Sequence, residues 1–367
     1  MMAARRPPPP RVVMDPILLT FSEPRLEAQY EDWAFRCRFG PTDGTFLTLS
    51  ILARTIALVW PIARGGGSAW EAAEMARAAW PSIAWVLWAA ADLAVRGAVS
   101  WETARAWRTP LVISTRFMTT LEAGLGCSDA ASSLALALLA PSSLLFATLS
   151  YSGLWALLIM ALAQPLHFRY HVPIQLVALA FVVINSGVPT CSAAQCVGRC
   201  SLSIDSCTAW HTIDGLTSIL DGLARRLLEV TLGLGSVPGV LAWKIDQPCL
   251  QLVLFLQFFF GFVLVSYIVW WTERRSRASF VVWRGGDEPG LAEAGEQLPA
   301  AMVAMHLMLL AVAFGVVWRV MLVFTPGARA WGAAPEGLRS PGGVGVEAAR
   351  RNGVLVGVWG WRGAAAA

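Results

Sequence analysis

The residues with the most evident chemistry are cysteines. Four of the seven lie within "CSAAQCVGRCSLSIDSC", residues 191–207, as Cys191, Cys196, Cys200 and Cys207. Clustered thiols can ligate a metal, cycle with an oxidant, or lock a loop covalently. The spacing C-x4-C-x3-C-x6-C matches neither the paired C-x2-C hairpins of zinc ribbons nor the common iron–sulfur runs, and His211 would be a lone extra ligand. No metal or other cofactor is assigned. A second set, "HFRYH", puts His167 and His171 four apart, the spacing that stacks two rings on one helix face. Pro165 and Pro173 bracket it and the chain holds only four histidines, so a structural turn is expected in place of a di-iron box. No Walker loop, G-x-S-x-G or H-E-x-x-H occurs, and no catalytic residue is assigned.

Whether those thiols are oxidised depends on where they lie, and composition addresses that. Hydrophobic residues make up 56% of the chain and charged ones 14%, against about a quarter charged in soluble domains. The expected class is an all-α polytopic membrane bundle, with the lipid bilayer as its first partner. The net charge of +4 is scattered over loops and termini with no basic stripe, so no nucleic acid partner is expected. The N-terminus does not read as a cleavable signal, because a proline tract, Pro7 to Pro10, stands where the apolar core should run.

A bilayer crossing needs about 20 mostly apolar residues. Seven segments qualify: Thr45 to Ile62, Ala79 to Val95, Thr109 to Leu125, Leu136 to Leu162, Val172 to Val188, Leu250 to Trp271 and Ala300 to Phe324. Six to eight spans fit the pattern and seven fits best. The last three are the most apolar. The third contains Arg116 and Glu122, and the fourth is long enough to kink at Pro141 or fold as a hairpin. Arginine in short loops marks the cytosolic side. Arg274, Arg275, Arg277 and Arg284 follow the sixth span, Arg96, Arg105 and Arg108 follow the second, and Arg25, Arg36 and Arg38 precede the first. The cysteine loop, with only Arg199, is then external.

An external loop is oxidising. The same topology places Cys127 and Cys249 outside, which gives six outward cysteines, and leaves Cys37 alone in the cytosol. Cys127, Cys191, Cys196, Cys200, Cys207 and Cys249 are the disulfide candidates, with free thiols or a metal centre as alternatives. Six cysteines allow fifteen pairings, and spacing does not choose among them.

Charges inside spans form the other candidate site. Arg54, Asp92 and Arg116 all fall in the cytosolic halves of their spans, where Asp92 is expected to pair with either arginine. Such a pair orients helices, or lines a path for an ion or solute.

The domain organisation follows. Residues 1–44 form a cytosolic segment with a juxtamembrane amphipathic helix. Residues 45–189 hold spans one to five, 190–248 the external loop with an interfacial helix marked by Leu216, Leu220, Leu223 and Leu227, and 249–324 spans six and seven. Residues 325–367 read as a disordered low-complexity tail, either an ordinary terminus or translated non-coding sequence in place of a cytosolic domain. In the N-terminal segment Ser22 is expected to cap a helix whose apolar face is Leu26, Tyr30, Trp33 and Cys37, lying on the inner leaflet.

The stretch F-x-x-P-x-L-E-x-x-Y, carried by Phe21, Pro24, Leu26, Glu27 and Tyr30, resembles the N-termini of green-algal multi-pass membrane proteins, some of which carry nucleotide-cyclase domains. The resemblance covers a few per cent of the chain and implies a membrane module without catalytic activity. A membrane anchor or sensor with a protein partner on its cytosolic face is the expected function, in the plasma membrane, an endomembrane or an organelle membrane. A transporter or channel is the alternative.

Overall fold

The computed structural model describes residues 14–64, 69–126, 152–187, 191, 204–232, 248–284 and 300–324. These residues are helical apart from short turns, and their one strand-like pairing is an isolated bridge between Met14 and Phe21. Helix α1 (Pro24–Ala34) passes through a π-helical turn, Phe35–Phe39, into α2 (Gly40–Arg64). Then come α3 (Ala69–Ala98), α4 (Trp101–Gly126), α5 (Leu154–Ala163) and α6 (Phe168–Val182), the last ending in a π turn at Val183–Gly187. Helix α7 (Ile204–Leu232) precedes α8, a 36-residue rod spanning Pro248–Trp283 with a π segment at Leu256–Leu264, and α9 (Ala300–Phe324).

Three helical stretches are long and apolar enough to cross a bilayer: Phe168–Ser186, Pro248–Trp283 and Val303–Met321. They coincide with the three most apolar segments of the sequence. Helices α2, α3 and α4 pack in sequence, α4 continues onto α5 and α6, and α6 packs on α8, which carries α7 and α9 on its other side. The burial pattern inverts that of a water-soluble bundle. Leu49, Leu52 and Ile56 of α2, Ile83 and Leu87 of α3, Phe117 of α4 and Leu307 and Leu309 of α9 are exposed. Asp43, Asp92, Arg108, Arg116, His171, Gln175, Gln257, Glu273 and Arg277 are buried.

Within the fourth expected span, helix α5 starts only at Leu154, because Gly153 before it adopts the left-handed conformation (φ 72°); Pro141 lies outside the described residues. A Cβ on Gly153 would lie 2.7 Å from Val182 Cγ1 on α6, so glycine also permits the close α5–α6 approach. Gly153→Ala is expected to cost roughly 2–5 kcal/mol, the left-handed penalty and the overpacking together. The check is the midpoint of thermal unfolding in detergent, and a wild-type midpoint would contradict both the turn and the contact.

Leu216, Leu220 and Leu227 of α7 are half-buried. Helix α7 packs along α9, and its buried face is Ile213, Thr217 and Ala224, while Leu223 is exposed. Small residues set the approach: Gly315 of α9 faces Leu228, with the place of its absent Cβ 2.6 Å from Leu228 Cγ. Residues 227–232 continue α7 to its end. At the N-terminus the cap residue is Glu23, with no side-chain cap bond, and Ser22 does not fill that role. The buried face of α1 is Leu26, Glu27, Tyr30 and Ala34, and Cys37 is exposed. Residues 325–367 and their expected disorder lie outside the described residues.

Candidate functional site

The polar residues buried in this bundle stack in tiers, and the first tier joins residues 250 positions apart in the sequence. Asp15 folds the preceding turn by accepting the Ile17 and Leu18 amides on Oδ1 at 2.8 and 2.7 Å. The turn returns the chain so that the Phe21 amide donates to Glu27 Oε2 at 2.8 Å. Arg277, near the far end of α8 and 1% exposed at its side chain, grips the same carboxylate in a fork, Nη1 to Oε2 at 2.6 Å and Nη2 to Oε1 at 2.8 Å. It also bonds Glu273 one turn back, Nε and Nη2 to Oε1 at 3.1 and 2.9 Å. Glu273 in turn accepts the Phe168 amide and faces His167 Nδ1 at 3.2 Å. The guanidinium lies over the Tyr30 ring at 4.1 Å and the Phe21 ring at 5.1 Å. One arginine thus ties the N-terminal segment, the start of α6 and the end of α8.

Electrostatics follow from that enclosure. Burial would push the Glu27 carboxyl up, but the hydrogen bonds from Arg277 and the Phe21 amide, together with the positive charge of Arg277, hold it below the usual carboxylate range. The Tyr30 phenol is pushed up to about 12, first by burial and then by the Glu273 charge.

The second tier is a four-charge chain. Asp43, fully buried three residues past the start of α2, accepts Arg108 Nε and Nη2 at 2.8 and 3.1 Å and Arg96 Nη1 at 3.1 Å. Arg96 reaches back along α3 to Asp92 at 2.6 Å. Arg108 also donates to the Pro165 carbonyl at 2.8 Å, which fixes the turn before α6. Deeper in, Arg116 donates to the Gln164 carbonyl at 2.8 Å and sits 3.3 Å from His171 Nδ1. Gln175 bonds the Leu157 and Gly261 carbonyls at 3.1 and 2.6 Å. Furthest along, Arg54 and Glu122 form a bidentate pair with contacts from 2.7 Å, steadied by Ser82 Oγ at 2.7 Å and by the Trp85 face 3.7 Å from the guanidinium.

The expected cluster of Arg54, Asp92 and Arg116 is therefore not assembled. Helix rise explains why. Arg54 stands level with Ser82 of α3, which is ten residues, or about 15 Å, from Asp92. Asp92 faces Arg96 one turn away, and Arg116 points across to α6. The "HFRYH" turn is corrected as well. His167 precedes α6, His171 lies buried inside it, and the helix runs through Pro173. The two rings serve different tiers.

Of the six disulfide candidates, Cys191 and Cys249 form one bridge, with Cα atoms 5.8 Å apart, joining the segment after α6 to the start of α8. Cys127, Cys196 and Cys200 lie outside the described residues, and Cys207 is described only as part of the first turn of α7. Cys37 is a free, exposed thiol.

Sequence reasoning missed Glu27, Asp43, Arg96, Arg108, Glu273 and Arg277 as site residues. One signal was available: Asp92 with Arg96 and Glu273 with Arg277 are acid–base pairs at i, i+4, placed where a helix end meets several others. Apart from Arg116, the tiers hold charge against charge, with backbone carbonyls taking some of the remaining donors. Such an arrangement fixes helix ends against one another. Among the described residues no group of three or more His, Cys, Asp or Glu could hold a metal ion. Comparison with protein-family models, with curated proteins and with solved structures finds no match.

Proposed function

We propose that the chain is a seven-span membrane module with a cytosolic N-terminus, working without catalysis as an anchor or sensor. The observation that carries this reading is α8. Its first turn is held by the Cys191–Cys249 bridge and its last turns by the Glu27 and Glu273 pairs of Arg277. About 42 Å of continuous helix separate the two fixtures at 1.5 Å per residue. A stiff element pinned at both faces of a bilayer passes a displacement at one end to the other.

The span count and orientation draw on independent features. Helices α2, α3 and α4 turn leucine, isoleucine and phenylalanine outward and charges inward, the arrangement lipid favours. The four segments that the arginine rule puts in the cytosol also converge: Arg105 and Trp101 approach Asp32, Arg169 pairs with Glu31, and Arg277 with Glu27. A partner protein would meet this face.

Cys37 provides the test. A membrane-impermeant maleimide applied to intact cells should leave Cys37 unlabelled, and permeabilisation should expose it. Cys249→Ser should then change the Cys37 labelling rate at least threefold, because the inner end of α8 loses its outer fixture. Labelling from outside would overturn the orientation. An unchanged rate in Cys249→Ser would overturn the sensor and leave the anchor.

A solute pathway is the second reading, and Arg116 favours it. Its guanidinium is 3% exposed, with Nε lacking a hydrogen-bond partner and no carboxylate within ion-pair distance among the described residues. Anion uptake into proteoliposomes, abolished by Arg116→Gln, would establish that reading over the first.

A further inference from the structure

A cavity of about 230 Å³ opens between the end of α1 with its π turn, the start of α4 and the start of α6. Its walls carry the guanidiniums of Arg105, Arg108 and Arg169, the hydroxyl-bearing Thr109 and Tyr170, and a single carboxylate, Glu31. We propose that this cavity binds a phosphoryl group, presented either by a lipid headgroup or as free phosphate.

Arg108 and Arg169 are fixed, Arg105 is not, and donors remain on all three. Arg108 is held by Asp43 and by the Pro165 carbonyl. Arg169 uses Nη2 on Glu31 at 2.7 Å, while its Nε is buried without a hydrogen-bond partner. The nearest carboxylate to Arg105 is Asp32 at 3.7 Å, outside hydrogen-bond range, and Asp32 is closer to Arg36 at 3.2 Å. A buried guanidinium N–H left unmade costs free energy that an anion entering the cavity would recover. Three cations from two helices, Arg105 and Arg108 on α4 and Arg169 on α6, suit a tetrahedral group with several oxygens better than a planar carboxylate, which one forked arginine satisfies.

Size agrees. At about 30 Å³ per water the cavity holds roughly eight, enough for a phosphate with its ester oxygen and below the range of drug-sized ligands. Location agrees too. The cavity lies at the arginine-rich end of the bundle beside the exposed rings of Trp101 and Trp107, and basic pockets between helices at the cytosolic interface are suited to anionic headgroups. The binding chemistry stands without the membrane reading above; only the lipid source rests on it.

The test uses the full chain. In neutral detergent, millimolar inorganic phosphate should raise the thermal unfolding midpoint by several degrees over chloride at equal ionic strength. Arg105→Gln and Arg169→Gln should each raise the half-saturating phosphate concentration at least tenfold. Arg105 is 40% exposed at its side chain, so Arg105→Gln should keep the wild-type midpoint in chloride. Arg105→Lys, retaining charge, should stay within a few-fold of wild type. The second arm compares nanodiscs of phosphatidylcholine with and without one-tenth phosphatidic acid. Stabilisation by phosphatidic acid that added phosphate does not increase identifies the headgroup as the source, and stabilisation by phosphate alone identifies the free ion. The proposal is overturned if neither stabilises the protein, or if both glutamine variants respond like wild type. Because the phosphate arm is read in detergent, it can succeed where the Cys37 labelling fails, and the reverse.

Discussion

Arg277→Ala lowers stability by about 3–5 kcal/mol and releases the N-terminal segment, because it strands two buried carboxylates that share one guanidinium. Glu273 keeps the Phe168 amide and His167, whereas Glu27 keeps only the Phe21 amide. Limited proteolysis should therefore cut the chain ahead of α2 in the variant and spare it in wild type. Arg277→Lys should recover part of the loss, since an ammonium supplies charge without the planar fork. The double variant Glu27→Gln with Arg277→Met should lie closer to wild type than Arg277→Ala does. Acid supplies a second check. The folded protein holds the Glu27 carboxyl low, so its contribution is complete above the ordinary carboxylate range and fades as pH falls through the lowered value. Docking of the N-terminal segment should weaken on acidification, and Glu27→Gln should remove that part of the pH dependence. An unchanged midpoint and digestion pattern for Arg277→Ala would show that the tier holds nothing together.

Asp43→Asn should cost a comparable 3–5 kcal/mol, and the ranking against Asp92→Asn is the sharper expectation. Asp43 is shared by Arg96 and Arg108, and its loss leaves two guanidiniums with one remaining acid, Asp92. Losing Asp92 leaves Arg96 still 3.1 Å from Asp43. Asp43→Asn should therefore be the more damaging substitution, with Asp43→Asn plus Arg108→Gln partly restored. Equal or reversed effects, measured by unfolding in mixed detergent micelles, would contradict the shared geometry.

How far the fold was legible depended on which signal each element carried. The three most apolar stretches read correctly, because twenty residues without charge have few other readings. The segments carrying internal charge are helical as expected, but their charge partners were not legible. Charge pairing depends on axial level and rotation, and the sequence gives neither for Arg54 or Arg116. Leu216, Leu220, Leu223 and Leu227 marked the helical spacing of α7, but not its contact with α9, where Ala224 and Gly315 allow the approach by being small. The left-handed turn at Gly153 carried no signal beyond the glycine itself. One motif proved more informative than its length suggested. Phe21, Glu27 and Tyr30 of the F-x-x-P-x-L-E-x-x-Y stretch gather around Arg277 and Leu26 packs in the same buried cluster, so the stretch forms a recessed plug.

That plug and its arginine are separated by 250 positions in the chain. At about 5–20 residues per second of translation, the interval between the emergence of Glu27 and that of Arg277 is roughly 12–50 s. Through that interval Glu27 lacks its arginine, and Phe21 and Tyr30 lack the cover of Phe280. The plug thus settles only after the far end of α8 has been made, and its docking reports that α8 is in place.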